Sequence, residues 1–364
     1  MLTLLKVQPL LKQPLTASLK TAARTVAIQA AIFLCGLVAV ELALRLFFPL
    51  PPHGGEYRDA NGNAARIARD ADTLEPGLDV RHIASEFAAR IRTDERGYRK
   101  MSRESTEPQF LFIGDSFTFG HGVPDDEVFS EAFCSKRGTA CLNLGRSGTN
   151  TFDQVRLLRY GIDKYQLRPR TVVLTMLTAC WLGVAGNDLG DNLTFYRSVK
   201  RSDSGDGPIR PARASLGPSL TDTLRTLQSW LGGFEITKRA MTVASSGLKA
   251  GVYACSEPGE IDAAASATSA ALGELAQLAE RYGFQVKVVV IHPFQDLVGG
   301  FRTSEVAVSQ ALPRGFGCIQ TGSKFRTEHY FPYDGHFNAS GHANLASILD
   351  ATIDDAPNSC TSAQ

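Results

Sequence analysis

A chain of 364 residues is long enough for one sizeable domain with appendages, or for two small ones. Charged residues make up 21% and hydrophobic residues 43%, an ordinary globular balance, and the formal net charge is +1. No global field therefore points to nucleic acid or another polyanion as a partner.

The pooled charge hides an asymmetry at the N-terminus. Residues 1–25 carry Lys6, Lys12, Lys20 and Arg24 and no acid. Residues 26–40 are apolar apart from Gln29, and 42–50 apart from Arg45. About 20 apolar residues cross a bilayer as one helix, so 26–50 is expected to be a transmembrane anchor. Glu41 and Arg45 stand four apart and can pair on one face, and Pro49, Pro51 and Pro52 end the helix. No small-x-small cleavage site follows cleanly, which favours an uncleaved anchor over a removed signal peptide. The positive-inside rule puts 1–25 in the cytoplasm and the bulk of the chain outside it, on a single-pass membrane protein.

Residues 51–105, polar and marked by Gly54-Gly55 and Asn61-Gly62-Asn63, read as a stalk or linker with local helix. The main domain is expected over 106–354. Strand 110–113 leads to a helix near 126–136, strand 140–144 to a helix near 151–164, and strand 171–177 follows. A long amphipathic helix over 261–282 precedes a β-branched strand at 285–291, and helix 340–348 closes the core. Strands alternating with helices at this spacing predict an α/β fold with a doubly wound parallel sheet. Residues 193–258 break the pattern and read either as a cap over the site or as an excursion, and 355–364 as a tail. Of seven cysteines, Cys35 lies in the anchor. Cys134, Cys141, Cys180, Cys255, Cys318 and Cys360 show no zinc spacing, and Cys134–Cys141 is the pairing expected in an oxidising compartment.

Chemistry concentrates after the first core strand. Gln109-Phe110-Leu111-Phe112-Ile113 runs into Gly114-Asp115-Ser116, so Ser116 sits on a turn beyond a buried strand, with a helix able to start there. Serine is a weak nucleophile at neutral pH and needs an adjacent base. Among seven histidines, His336 stands out in Tyr333-Asp334-Gly335-His336, where acid and imidazole two apart point to one side of an extended loop. Asp334 can then hold Nδ1–H while Nε2 faces Ser116. His121 reads as a rim residue, His292 could line the same edge, and His342 reads as structural inside the last helix. The chain has no P-loop, no His-Glu-x-x-His and no Gly-x-Ser-x-Gly elbow, and no cofactor or metal is implied.

Four blocks, Gly114-Asp115-Ser116, Asn143 to Gly148, Gly186-Asn187-Asp188 and Asp334-Gly335-His336, make the chain resemble the SGNH (GDSL) hydrolase superfamily from about residue 93 to 351. Thr93-Asp94-Glu95-Arg96-Gly97-Tyr98-Arg99 looks like the segment before the first block in membrane-anchored bacterial members. The resemblance implies a flavodoxin-like three-layer fold, and Gly148 and Asn187 as oxyanion donors beside the Ser116 N–H. Asn187 lies about ten residues beyond strand 171–177, and Asn150 or Asn192 could serve in its place. The two-residue Asp–His spacing is similar to that of relatives involved in alginate acetylation, where many members use three. The expected activity is an extracytoplasmic serine esterase acting on acyl, including O-acetyl, esters. Acyl transfer to or from a cell-surface polysaccharide, and a catalytically degenerate glycan-binding or assembly protein, are the alternatives.

Overall fold

The computed structural model describes residues 15–47, 55–67, 74–178, 188, 192–193, 195–196, 258–294, 297 and 308–356. Helix α1, Leu15–Phe47, contains an apolar run over Ala23–Leu44 with mean hydropathy 2.2. It is long and apolar enough to cross a membrane, a test that a signal sequence also passes. Val26, Ile32, Phe33, Leu34 and Leu42 stand exposed on it.

In place of a stalk with local helix, three short strands form an antiparallel sheet ahead of the core: β1 (Glu56–Arg58), β2 (Asp79–Ile83) and β3 (Ala88–Arg92). Its inner face is set by alternation. Val80 and His82 on β2, and Ala89 and Ile91 on β3, are buried between exposed or half-buried neighbours.

The core follows the alternating pattern of the sequence. In chain order it comprises β4 (Phe110–Ile113), α2 (Ser116–Phe119), a 3-10 turn (Asp125–Glu127), α3 (Phe129–Arg137), β5 (Cys141–Asn143), α4 (Thr151–Tyr165) and β6 (Thr171–Leu177). Then come α5 (Pro258–Tyr282), β7 (Gln285–Ile291), β8 (Gly317–Gln320) and α6 (Ala339–Thr352). The helix expected near 126–136 is thus divided, with Val128 in extended conformation between the 3-10 turn and α3.

Five parallel strands pair in the order β5-β4-β6-β7-β8. Numbered within the sheet this is 2-1-3-4-5, the flavodoxin-like doubly wound order, whose topological switch lies at the first strand. The strands are buried on both faces, and successive residues feed opposite layers. Leu111, Ile113, Val172 and Leu174 pack with Val155, Leu158 and Ile162 of α4 and with Leu272 and Leu275 of α5. Phe110, Phe112, Val173 and Val289 pack with Phe129 and Phe133 of α3 and with Leu345 and Leu349 of α6. The result is a three-layer α/β/α sandwich. The Cys134–Cys141 disulfide is present and joins α3 to β5, and Cys318 is disulfide-bonded as well. Cys180, Cys255, Cys360, Asn187, the side chain of Arg45 and most of 193–258 lie outside the described residues.

Candidate active site

Strand β4 delivers Ser116 to the carboxyl edge of the sheet, at the switch between β5 and β6 where doubly wound folds bind ligands. The turn is tight because Gly114 leaves space: a Cβ there would collide with the hydroxyls of Thr118 and Thr175, which touch each other. Asp115, fully buried, caps α2 by accepting from Phe117 N at 2.9 Å. Burial, and then the negative charge of Asp188, push the Asp115 carboxyl well above the usual carboxylate range. No acceptor meets the Ser116 N–H among the described residues.

The candidate base comes from the far end of the chain. Phe331 N donates to His336 O at 2.8 Å, and Gly335 N to Phe331 O at 2.9 Å. Together they close a turn in which Gly335 takes the left-handed conformation, φ +87°. This turn sets His336 Nε2 at 2.6 Å from Ser116 Oγ and His336 Nδ1 at 2.5 Å from Asp334 Oδ1. The same Asp334 oxygen is 3.3 Å from the His336 N–H, so side chain and backbone of one residue converge on it. A two-residue spacing is therefore sufficient to align acid and base. Burial by itself would raise the Asp334 carboxyl, but the charge of His336 and the proximity of His121 outweigh it and hold Asp334 far below its ordinary range.

His121 is more than a rim residue. Its ring stacks on His336 at 4.2 Å, meets His82 edge-on at 4.5 Å, and carries Nε2 to 3.5 Å from Asp334 Oδ2. Neither of its ring nitrogens has a hydrogen-bond partner among the described residues. Burial, then the His336 charge, lower its pKa. His121, Asp334 and His336 bring ligand-type atoms within 4.8 Å of one another. A metal, however, must lie near the plane of each imidazole it binds, and two rings stacked 27° from parallel do not share such a point.

The second block has two parts. Asn143 is a structural residue: its amide donates to Thr118 O at 2.7 Å and Ser130 Oγ at 2.9 Å, and its oxygen accepts from Gly145 N. Residues 146–149 are tied to the nucleophile turn, since Arg146 N donates to Gly114 O at 3.0 Å. Gly148 is exposed on this loop with φ +76° and open space around it.

Of the alternative amides, that of Asn192 is committed elsewhere, whereas Asn150 spends only its carbonyl oxygen. Asn150 caps α4 by accepting from Asp153 N at 3.0 Å, and buried Asn192 bonds Thr151 and Thr268. Asp188, adjacent to Asn187, is fully buried and accepts from Leu177 N at 2.8 Å and from Thr151 and Gln154. Asp188 thus stands at the carboxyl end of β6. His292 is buried with Nδ1 3.1 Å from Thr178 Oγ1, and His342 is buried in α6 with Nδ1 accepting from Phe129 N at 3.3 Å.

Sequence reasoning missed two contributors. Arg99, in the segment before β4, is fully buried and holds the loop after α2 by bonds to Phe119 O, Gly120 O and Val123 O while pairing with Asp125 at 2.7 Å. The hairpin turn between β2 and β3 brings Glu86 onto the backbone of Tyr333 and Asp334.

No protein-family model matches the chain, and no curated protein does. Among solved structures, similarity is found to an α/β hydrolase enzyme from the metagenome of Lake Arreo, at 12% identity and a TM-score of 0.36, over 67% of this chain and 94% of that one. A lipolytic protein of the G-D-S-L family from Desulfitobacterium hafniense aligns at 11% identity and a TM-score of 0.34, over 68% of this chain and 99% of that one. A carbohydrate esterase family 2 enzyme with a carbohydrate-binding domain, from Myceliophthora fergusii, aligns at 13% identity and a TM-score of 0.39, over 73% of this chain and 70% of that one.

Proposed function

We propose that the protein is a serine esterase of the SGNH type, acting on acyl esters through Ser116, His336 and Asp334. The observation that carries this reading is the continuous relay from Ser116 Oγ to His336 Nε2 (2.6 Å) and from His336 Nδ1 to Asp334 Oδ1 (2.5 Å) at the carboxyl edge of the sheet. Nε2 removes the hydroxyl proton as Ser116 Oγ bonds to the acyl carbon, and Asp334 stabilises the imidazolium that forms. The oxyanion is held by the Ser116 N–H, with Gly148 N–H and the Asn187 amide as its further donors. Collapse breaks the ester C–O bond, His336 returns the proton to the leaving alkoxide, and the acyl group remains on Ser116. Water, deprotonated by His336, then releases the acid and restores the hydroxyl.

Helix α1 fits an anchor in this reading, with the catalytic domain outside the cytoplasm. The Cys134–Cys141 disulfide suits such an oxidising compartment. Transfer of the acyl group to a sugar hydroxyl is the second reading, because a tethered acyl-enzyme presents the same intermediate to either acceptor.

The test is fluorophosphonate labelling of the full chain in detergent, with Ser116→Ala as control, followed by turnover of an activated acetyl ester with and without oligosaccharides. Ser116-dependent labelling and release of free acetate support the esterase. Acetylated sugar formed at the expense of acetate replaces hydrolysis by transfer. Absence of both labelling and turnover leaves a binding or assembly protein on the same fold.

A further inference from the structure

We infer that the small N-terminal sheet is part of the catalytic apparatus, with Glu86 as a positioning residue that holds the turn bearing Asp334 and His336. The inference rests on the esterase reading above and adds to it a residue and a structural unit.

The geometry is specific. The β2–β3 connection, residues 84–87, is closed by Ala84 N donating to Phe87 O at 2.9 Å. From its tip both Glu86 oxygens accept from Tyr333 N at 3.1 Å, and Oε2 also accepts from Asp334 N at 2.6 Å. A carboxylate receiving two successive backbone N–H groups makes charge-assisted bonds, the stronger class. These two amides lie three and two residues before His336. They leave the inside of the turn free for the Phe331–His336 and Gly335–Phe331 bonds that shape it.

The next residue reaches the nucleophile side. Phe87, buried, packs on Phe331 with ring centres 5.1 Å apart and on His121 at 5.3 Å. A Cβ at Gly122 would press into the Phe87 ring, so the backbone just after α2 closes directly on it. One hairpin tip therefore grips both the loop after Ser116 and the turn carrying His336, which are 220 residues apart in sequence. Below it His82 stacks on Tyr57 at 4.2 Å and meets Phe87 and His121, so the grip continues into the sheet.

The Glu86 bonds lie near the surface, with Tyr333 exposed and Asp334 half-buried, so their value for folding is modest. Their value lies in precision. Misplacing a catalytic group by about an ångström costs on the order of a hundredfold in rate.

The experiment compares the full chain with Glu86→Ala and Glu86→Gln, measuring kcat and KM on p-nitrophenyl acetate, thermal melting, and hydrogen exchange of the peptide spanning 330–337. Glu86→Ala is expected to lower kcat about tenfold to a hundredfold, leave KM within about twofold, and speed exchange in that peptide. Glu86→Gln retains one carbonyl acceptor for Asp334 N–H and should recover part of kcat. An unchanged kcat in Glu86→Ala, with the parent chain active, overturns the inference alone. A loss of kcat matched by a collapse in melting temperature, without recovery in Glu86→Gln, also overturns it by reducing Glu86 to a folding role. A parent chain without Ser116-dependent turnover removes the esterase reading itself, and the inference falls with it.

Discussion

Arg99→Ala tests whether the segment before β4 anchors the nucleophile loop. The guanidinium is fully buried and makes bonds of 2.7 Å to Asp125 Oδ1, 3.0 Å to Phe119 O, 3.2 Å to Gly120 O and 2.8 Å to Val123 O. Removing one partner of a buried pair costs about 3–5 kcal/mol. Asp125 keeps Arg92, whose Nε lies 2.7 Å from Oδ2, so its charge is not stranded. The three carbonyls, in contrast, lose their only donor from this side chain, and the volume it filled is emptied. These opposing considerations place the loss near 3–4 kcal/mol, a large share of the roughly 5–15 kcal/mol that holds a domain together. For a domain of this size that corresponds to a melting temperature lower by about 6–16 °C. The assay is thermal unfolding followed by circular dichroism in detergent, with Arg99→Lys as companion. Lysine keeps a charge for Asp125 but lacks the fork, so it should recover no more than about half of the loss. A shift under about 2 °C in Arg99→Ala would refute the anchoring argument.

Three further outcomes are expected. Burial, with the charges of Arg99 and His336, lowers His342 from 6.5 to about 3. Because the folded value is depressed, the neutral ring contributes stability that is full above pH 6.5 and lost as pH falls toward 3, at up to about 1.4 kcal/mol per pH unit. His342→Gln should flatten that acid limb in melting curves, though not abolish it, since His121 is shifted in the same direction; identical slopes would discard the assignment. Replacing Cys134 and Cys141 with alanine should cost about 2–3 kcal/mol in urea unfolding, and no change would mean that the bridge is absent in the protein measured. Asn187→Ala should keep the melting temperature and lower kcat about 10²–10³-fold; with the Asn192 amide engaged in structural bonds and Asn150 using only its carbonyl oxygen, undiminished turnover would move the role to Asn150 or leave the oxyanion to the backbone donors.

Much of the core was readable because its information is local. Residues 110–116 state a buried strand, a tight turn and a nucleophile in one stretch, and Asp334 and His336 stand two apart, so their pairing needs no knowledge of the rest of the chain. The N-terminal sheet was not read, although its signal was present. Val80 and His82 on β2, and Ala89 and Ile91 on β3, alternate with Arg81, Arg90 and Arg92, a period of two in a stretch that looks polar by composition. Short strands rich in arginine and alanine carry little propensity, and here the buried face is completed by the α/β domain, through Phe119. The roles of Arg99 and Glu86 were out of reach for a different reason. Each acts on backbone groups about 20 to 248 residues away, and a carbonyl or an amide leaves no mark in the sequence.

The order of the parts along the chain has a consequence for biosynthesis. Ser116 follows the first core strand, whereas His336 arrives just before the final helix, and α6 packs against α3 at the opposite end of the domain. Under the proposed function, a nascent chain therefore carries Ser116 for most of its synthesis without the imidazole that would activate it. On that reading the relay closes only when almost the whole polypeptide has emerged, so a chain cut short before residue 336 would be inert by construction, with no inhibitor required.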